Sequence, residues 1–117
     1  MLICNDNKIK PLEPIRELIN LKKLDCSYNE IMLLEPISNL INLKRLYCDD
    51  NQILSLEPTI NLINLEKLDC NSNQNQSLDP INNLTNLKTF YYSNNPIEYV
   101  PPNIARRLNT MNNNQYI

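Results

Sequence analysis

The chain has 117 residues and a formal net charge of −2, and it contains no glycine, histidine or tryptophan. This charge provides no basic footprint for bulk nucleic-acid binding, and the lack of histidine excludes Ser-His and Cys-His catalytic pairs. No apolar run approaches the 18 or more residues that a membrane span requires.

The start of the chain, Met1 to Asp6, has neither a basic segment nor a long apolar segment after it. We therefore predict no signal peptide and a cytoplasmic location.

A 22-residue unit recurs along the chain in the pattern LxxLxCxxNxIxxLxPIxxLxN, without insertion or deletion. Its cysteine position holds Cys4, Cys26, Cys48 and Cys70, with Tyr92 in the last copy. Its first asparagine position holds Asn7, Asn29, Asn51, Asn73 and Asn95. A fixed period of this length indicates a solenoid, in which each unit buries its apolar side against its neighbours.

With leucines at these offsets, the unit resembles the leucine-rich repeat family, and its NxIxxLxPLxxLxNL form resembles the 22-residue class that includes the bacterial internalins. The resemblance covers residues 1–100 as five repeats. It implies an α/β solenoid with a parallel β-sheet on the concave side, short 3₁₀ or helical turns on the convex side, and a role as a protein-interaction module. The Asn-rich, glycine-free composition is also similar to that of repeat proteins from giant DNA viruses that infect amoebae.

Each unit begins with a short predicted strand. In the second unit, Leu24 and Cys26 alternate with polar residues, which is the pattern of a half-buried strand. Strands that recur once per unit in one direction must pair in parallel, and five of them at about 4.8 Å spacing make a sheet about 20 Å wide. The asparagine after each strand is predicted to be structural, because a buried amide can bond the backbone of its own turn and of the next.

Two positions interrupt the repeat. The isoleucine two residues after the asparagine points inward, but the fourth unit has Asn75 there. Either Asn75 finds hydrogen bonds or its turn is loose, because an unpaired buried amide costs about 1 to 3 kcal/mol. The return limb is the part of each unit that leads from the asparagine turn back to the next strand. There, an acidic residue followed by proline predicts a short helical turn, more 3₁₀ than α. The third unit has Thr59 in this limb, and its isoleucine is predicted to shift by one place, to Ile60.

Residues 101–117 depart from the repeat and are predicted to form a C-terminal helical cap with a frayed tail from Asn112. One predicted helical face holds Ile104, Ala105, Leu108 and Met111, and the other holds Arg106, Arg107 and Asn109. The first unit lacks such a cap, because Leu2 and Cys4 already occupy core positions. Three explanations of this open strand edge remain: a truncated product, a homodimer that covers the edge, or a shortened gene.

The cysteines are predicted to form a reduced core ladder, with no metal site and no cofactor. Four sulfurs in a row across the sheet span about 14 Å, whereas two zinc ligands lie at most about 4.6 Å apart. Carboxylate pairs such as Asp25 and Asp69 are expected roughly 10 Å apart. On a flat, solvated sheet face their pKa values are not expected to rise as acid–base chemistry needs. We therefore predict no enzymatic activity.

Function is expected on the outward strand positions. A cationic row beside an aspartate-rich row favours either mutual neutralisation on a solvated face or a contact site centred on the tyrosines. The predicted partner-binding residues are Lys23, Asp25, Tyr28, Arg45, Tyr47, Asp49, Asp50, Lys67, Asp69 and Tyr91. We predict a protein partner, with neither nucleic acid nor membrane. The alternative is an assembly element that forms a homodimer through the N-terminal edge.

Overall fold

A computed structural model describes residues 1–111 of the chain. The predicted frayed tail, residues 112–117, lies outside the described residues. None of the helices in residues 1–111 has the length and apolarity that crossing a membrane requires.

Five short strands form one parallel sheet in the order of the chain, which confirms the predicted architecture. They are β1 (Leu2–Ile3), β2 (Lys23–Asp25), β3 (Arg45–Tyr47), β4 (Lys67–Asp69) and β5 (Thr89–Tyr91). The register keeps the 22-residue spacing, so that Leu24 pairs with Leu46, and Leu46 with Leu68. Equivalent residues of successive units therefore stand side by side across the sheet.

The return limbs contain 3₁₀ turns at Glu13–Ile15, Glu35–Ile37, Glu57–Thr59 and Asp79–Asn83. Each of these 3₁₀ segments begins with an acidic residue followed by a proline, as predicted. The predicted shift to Ile60 is wrong. Thr59 is completely buried in the usual position, and its Oγ1 donates a hydrogen bond to the carbonyl oxygen of Leu56 at 2.7 Å. Because the hydroxyl is satisfied within its own turn, the unit keeps its register.

The core is a set of columns, each formed by one repeat position. The column of Leu24, Leu46, Leu68 and Phe90 is buried under the sheet. The cysteine column lies beside it, with Cys26, Cys48 and Cys70 buried as predicted, and with Cys4 partly exposed at the upstream end. Burial raises the pKa of the Cys48 thiol well above its usual value. These thiols are protonated at neutral pH and pack as small apolar groups.

The first asparagine column forms the predicted hydrogen-bonded ladder. Asn51 Nδ2 donates to the carbonyl oxygens of Cys26, Cys48 and Asp49 at 3.0 to 3.2 Å, and its Oδ1 accepts from the backbone N–H of Ile31 at 3.0 Å. Each amide therefore satisfies its own turn and the turn of the preceding unit. This confirms the structural role of the column.

A second asparagine column, which was not predicted, stands just before the strands. Asn42 Nδ2 donates to the carbonyl oxygen of Ile19 at 3.0 Å, and Asn64 Nδ2 donates to that of Ile41 at 2.9 Å. Asn86 repeats the contact with Ile63. Unlike the first column, these side chains are exposed, so each bond stabilises the stack less.

Asn75 is buried, with 1% of its surface exposed, and only part of its side chain is satisfied. Its Nδ2 donates to Asn95 Oδ1 at 3.0 Å, and its backbone N–H donates to the same atom at 3.1 Å. Its own Oδ1 has no hydrogen-bond partner among residues 1–111. The turn is ordered by hydrogen bonds, yet it carries a buried acceptor that is left unpaired.

Asn75→Ile should therefore raise the free energy of unfolding by about 1 to 3 kcal/mol, because it removes the unpaired acceptor and restores the apolar column. Chemical denaturation followed by circular dichroism measures the change. The reverse substitution, Ile53→Asn, is the matched control and should destabilise the chain. A destabilised Asn75→Ile variant would mean that the pocket around Asn75 is shaped for the amide.

The predicted helix in the terminal segment is present as α1 (Pro102–Asn109). Ile104 is buried, and Leu108 and Met111 pack against the core. The assignment of Arg107 to the outer face is wrong, because its guanidinium donates to the carbonyl oxygens of Ile81 and Leu84. Its long side chain reaches back over apolar surface to backbone acceptors of the fourth unit. Partial burial lowers the pKa of Arg107 from its usual value.

Candidate interaction face

The outward side of the sheet, the concave face, displays two strand rows in register. Lys23, Arg45 and Lys67 pair in one row, and Asp25, Tyr47, Asp69 and Tyr91 pair in the next. Inward residues alternate with these, so the same short strands that bury the core fix the spacing of the face. The face is thus a rigid array whose side chains stand about 4.8 Å apart along each row.

Lys67 joins two tyrosines on this face. Its Nζ lies 5.4 Å from the ring centroid of Tyr47 and 5.8 Å from that of Tyr91. A cation within about 6 Å of a ring is attracted to the ring face. Lys67 therefore helps to hold both rings in place on the sheet.

Direct ion pairs do not neutralise the cationic row. Within residues 1–111 the salt bridges join Lys10 to Glu30, and Arg16 to Glu13 and Glu35, so none involves the cationic row. Burial raises the pKa of Asp69 on balance, although the backbone N–H of Asn71 and the charge of Lys67 lower it in part. Most of the charge of both rows is therefore available to a partner.

Asp49 is half-buried just beyond β3. Burial and the charge of Asp69 raise the pKa of Asp49 to about 6. The expectation that this sheet face does not raise carboxyl pKa values is wrong at Asp69 and at Asp49, because burial by the neighbouring units raises both. Since the folded-state pKa lies above the unfolded value, Asp49 makes the fold less stable as the pH rises from about 4 to about 6.

Asp25 and Asp69 also have local roles. Asp25 Oδ1 accepts hydrogen bonds from the Ser27 Oγ at 2.7 Å and from the Ser27 backbone N–H at 3.1 Å. Asp69 Oδ1 accepts from the Asn71 backbone N–H at 3.1 Å. These bonds fix the direction of each carboxylate and end the strand.

The residue before each ladder asparagine has left-handed backbone. The φ angles are 60° at Asp6, 55° at Tyr28, 55° at Asp50, 58° at Ser72 and 57° at Asn94. Aspartate and asparagine tolerate this conformation, whereas it is unfavourable for a bulky residue. Tyr28 adopts this conformation although its side chain is bulky, and the residue is 56% exposed. The charges of Asp50 and Asp49 raise the pKa of the Tyr28 hydroxyl. Tyr28 is the residue of this column that local backbone preference explains least.

All ten predicted partner-binding residues lie on the concave face or on the turn at the ends of its strands. Lys23, Asp25, Arg45, Tyr47, Lys67, Asp69 and Tyr91 belong to the strands, and Tyr28, Asp49 and Asp50 follow them. Their role in binding stays a prediction. Residues 1–111 contain no group of three His, Cys, Asp or Glu side chains that could hold a metal ion.

Two family models match the chain. One, described as Leucine Rich repeats (2 copies), matches residues 41–84, and the other, described as Leucine Rich Repeat, matches residues 20–40. Together they cover more than half of the chain. The chain belongs to the leucine-rich repeat family. A search of curated protein sequences found no significant match for this leucine-rich repeat protein.

Solved structures agree with this assignment. Internalin C2 from Listeria monocytogenes superposes with a TM-score of 0.84 at 29% identity, over 95% of this chain and 47% of that one. The functional domain of InlJ from the same bacterium, described as including a cysteine ladder, gives 0.74 at 34% identity over 91% and 21%. A chain of the Drosophila melanogaster SNF/U2A′ complex gives 0.70 at 25% identity over 91% and 64%.

This protein therefore spans less than two thirds of each of these chains, and less than half of the two from Listeria. Leucine-rich repeat proteins generally mediate protein–protein interactions and are typically not enzymes.

Proposed function

We propose that this protein binds a protein partner on its concave face. The observation that carries the proposal is Tyr28, a large aromatic side chain that is half-exposed in a backbone conformation that disfavours it. Strained, exposed residues persist where function requires them, since a smaller polar residue would fit the turn better. Exposed tyrosines on rigid scaffolds are also typical of interface hot spots.

The charges suggest how the partner is oriented. The cationic row of Lys23, Arg45 and Lys67 lies at the start of the strands, and the carboxylates of Asp49 and Asp50 follow the strands at their other end. A partner with acidic groups over the first set and basic groups over the second would match both. Burial raises the pKa of Asp49, so a basic group of the partner near Asp49 would stabilise its charged carboxylate.

The double variant Tyr47→Ala/Asp69→Ala tests the proposal. Proteins captured from cell extract by the unaltered chain should be lost, while circular dichroism shows an intact fold. The matched control is Tyr99→Ala/Glu98→Ala, a tyrosine and a carboxylate that are exposed on the return limb of the fifth unit. This control should retain the partner. Equal capture by both double variants would place the binding site elsewhere.

A second candidate function, self-association through the upstream edge, is favoured by an unfinished ladder. Asn29 Oδ1 accepts hydrogen bonds from the backbone N–H groups of Asn7 and Ile9, at 2.9 Å each. The equivalent Oδ1 of Asn7 has no donor among residues 1–111. Beside it lies an apolar cavity of about 670 Å³ lined by Leu2, Ile9 and their neighbours. If this edge pairs two copies, Leu2→Asp should halve the mass that light scattering measures, and a monomeric unaltered chain would exclude it.

We also propose a cytoplasmic, non-catalytic role. The buried free thiols of the cysteine column suit a reducing compartment. The sequence has no histidine to act as a general base.

A further inference from the structure

The edge of the solenoid where the strands begin carries an apolar column that the concave-face proposal does not use. We call residues 19–23, 41–45 and 63–67 the strand-start edge. Ile19, Ile41 and Ile63 are 55%, 52% and 54% exposed, although each is a large branched apolar side chain. The column is thus a row of equivalent residues in successive units, and its regularity separates it from a single exposed isoleucine.

Hydrogen bonds hold this edge rigidly. The second asparagine column ties the carbonyl oxygens of Ile19, Ile41 and Ile63 to the next unit. Three residues further on, the backbone N–H of Lys44 donates to the carbonyl oxygen of Lys22 at 2.8 Å. The isoleucines therefore lie at the strand spacing of about 4.8 Å, on a backbone that these hydrogen bonds hold in place.

Cations follow the apolar column along its whole length. Within the edge they are Lys22, Lys23, Lys44, Arg45 and Lys67, and Lys88 continues the row in the next unit. Glu66 is the one acidic residue at the same two repeat positions. No salt bridge within residues 1–111 involves any of these six cations. The edge is therefore strongly positive in a chain whose net charge is −2, and its occupant should be anionic.

We propose that the strand-start edge binds the surface of an anionic lipid bilayer, which replaces the sequence-based expectation that the chain binds no membrane. Half-exposed isoleucines enter the boundary between headgroups and acyl chains, while flanking lysines bind acidic headgroups. A lipid surface requires no register. In an extended peptide, by contrast, side chains on one face lie about 6.6 Å apart. They therefore cannot contact successive isoleucines that lie about 4.8 Å apart.

This attachment also orients the molecule. Asp49 and Asp50 follow the strands at the end opposite the strand-start edge. An anionic bilayer repels that end and attracts the other. Lys23, Arg45 and Lys67 of the edge belong also to the concave-face row, but the two proposals can be tested separately, because Ile41, Ile63, Lys22 and Lys44 are not among the predicted partner-binding residues.

Co-sedimentation of the full chain with vesicles at low salt tests the proposal. Vesicles of phosphatidylcholine mixed with phosphatidylserine should bind the chain, vesicles of phosphatidylcholine alone should not, and added salt should release it. Ile41→Asn/Ile63→Asn should weaken binding roughly tenfold through the lost apolar area. Lys22→Glu/Lys44→Glu should weaken it at least as much. Circular dichroism melts verify that these surface variants are folded.

The matched control is Met32→Asn/Leu54→Asn. These side chains are 48% and 49% exposed on the return limbs, and Met32 and the acidic Glu13, Glu30 and Glu35 line one cavity there. This control should bind as the unaltered chain does.

Three results would overturn the proposal. The first is no binding of the unaltered chain to phosphatidylserine vesicles. The second is equal binding by the isoleucine variant, which would reduce the effect to charge alone. The third is binding of soluble polyglutamate, lost in the Lys22→Glu/Lys44→Glu variant, without vesicle binding, which would assign the edge to an acidic protein.

Discussion

Asn51→Ala should lower the free energy of unfolding by about 1 to 3 kcal/mol. The substitution leaves the buried backbone N–H of Ile31 without its acceptor, whereas the carbonyl oxygens of Cys26 and Cys48 each lose one of two donors and keep Asn29 and Asn73 respectively. Each buried group left unpaired costs about 1 to 3 kcal/mol. Urea denaturation followed by circular dichroism measures the loss.

Asn42→Ala is the matched control for this substitution. It removes the same amide from the same repeat spacing, but Asn42 makes one exposed hydrogen bond, to the carbonyl oxygen of Ile19. Its loss should be below about 1 kcal/mol. Similar losses for both variants would show that burial does not distinguish the two asparagine columns.

The second large effect is expected for Leu46→Ala, which should cost about 2 to 5 kcal/mol. Leu46 is completely buried in β3 and pairs with Leu24 on one side and Leu68 on the other. The cavity left in the centre of the stack cannot collapse without moving both neighbouring units. Thermal and chemical denaturation measure the cost.

Leu2→Ala provides the comparison within the same column. Leu2 pairs with Leu24 only and is partly exposed, so its truncation should cost clearly less. Stability in a stack is roughly a sum over units and their interfaces, which predicts this gradient. A cost below about 1 kcal/mol for Leu46→Ala would mean that Leu46 does not pack between its neighbours.

The stacked framework could be predicted from the sequence because one geometry must hold in every unit. Cys48 and Asn51 recur at fixed spacing, and a position that recurs in a stack faces the same surroundings each time. Asn42 carries the same signal, at the same spacing, and its ladder could have been found in the same way.

Departures from the repeat were harder to predict, since each depends on contacts that the pattern does not contain. Arg107 was assigned by polarity, but its length lets it reach carbonyl oxygens of the fourth unit. Thr59 keeps its place because its hydroxyl bonds within the turn. The raised pKa of Asp49 arises from crowding by neighbouring units, and the local sequence does not reveal that crowding.

The candidate face was predictable as a set of positions, since residues that stacking does not determine are free to contact a partner. The strained backbone of Tyr28 was not predictable in the same way. The strain lies in the left-handed φ angle that Tyr28 shares with the smaller polar residues of its column, and the repeat pattern does not contain φ angles.

Tyr28→Asn tests most directly whether the concave face is kept for binding, when the free energy of unfolding and the capture of partner proteins are measured on the same variant. Asparagine already occupies the equivalent position in the fifth unit, as Asn94. Relief of the left-handed backbone should stabilise the fold by about 1 kcal/mol. We predict a more stable protein that captures less partner, with Tyr99→Asn unchanged in both respects. A more stable variant with undiminished capture would contradict the proposed role of the face.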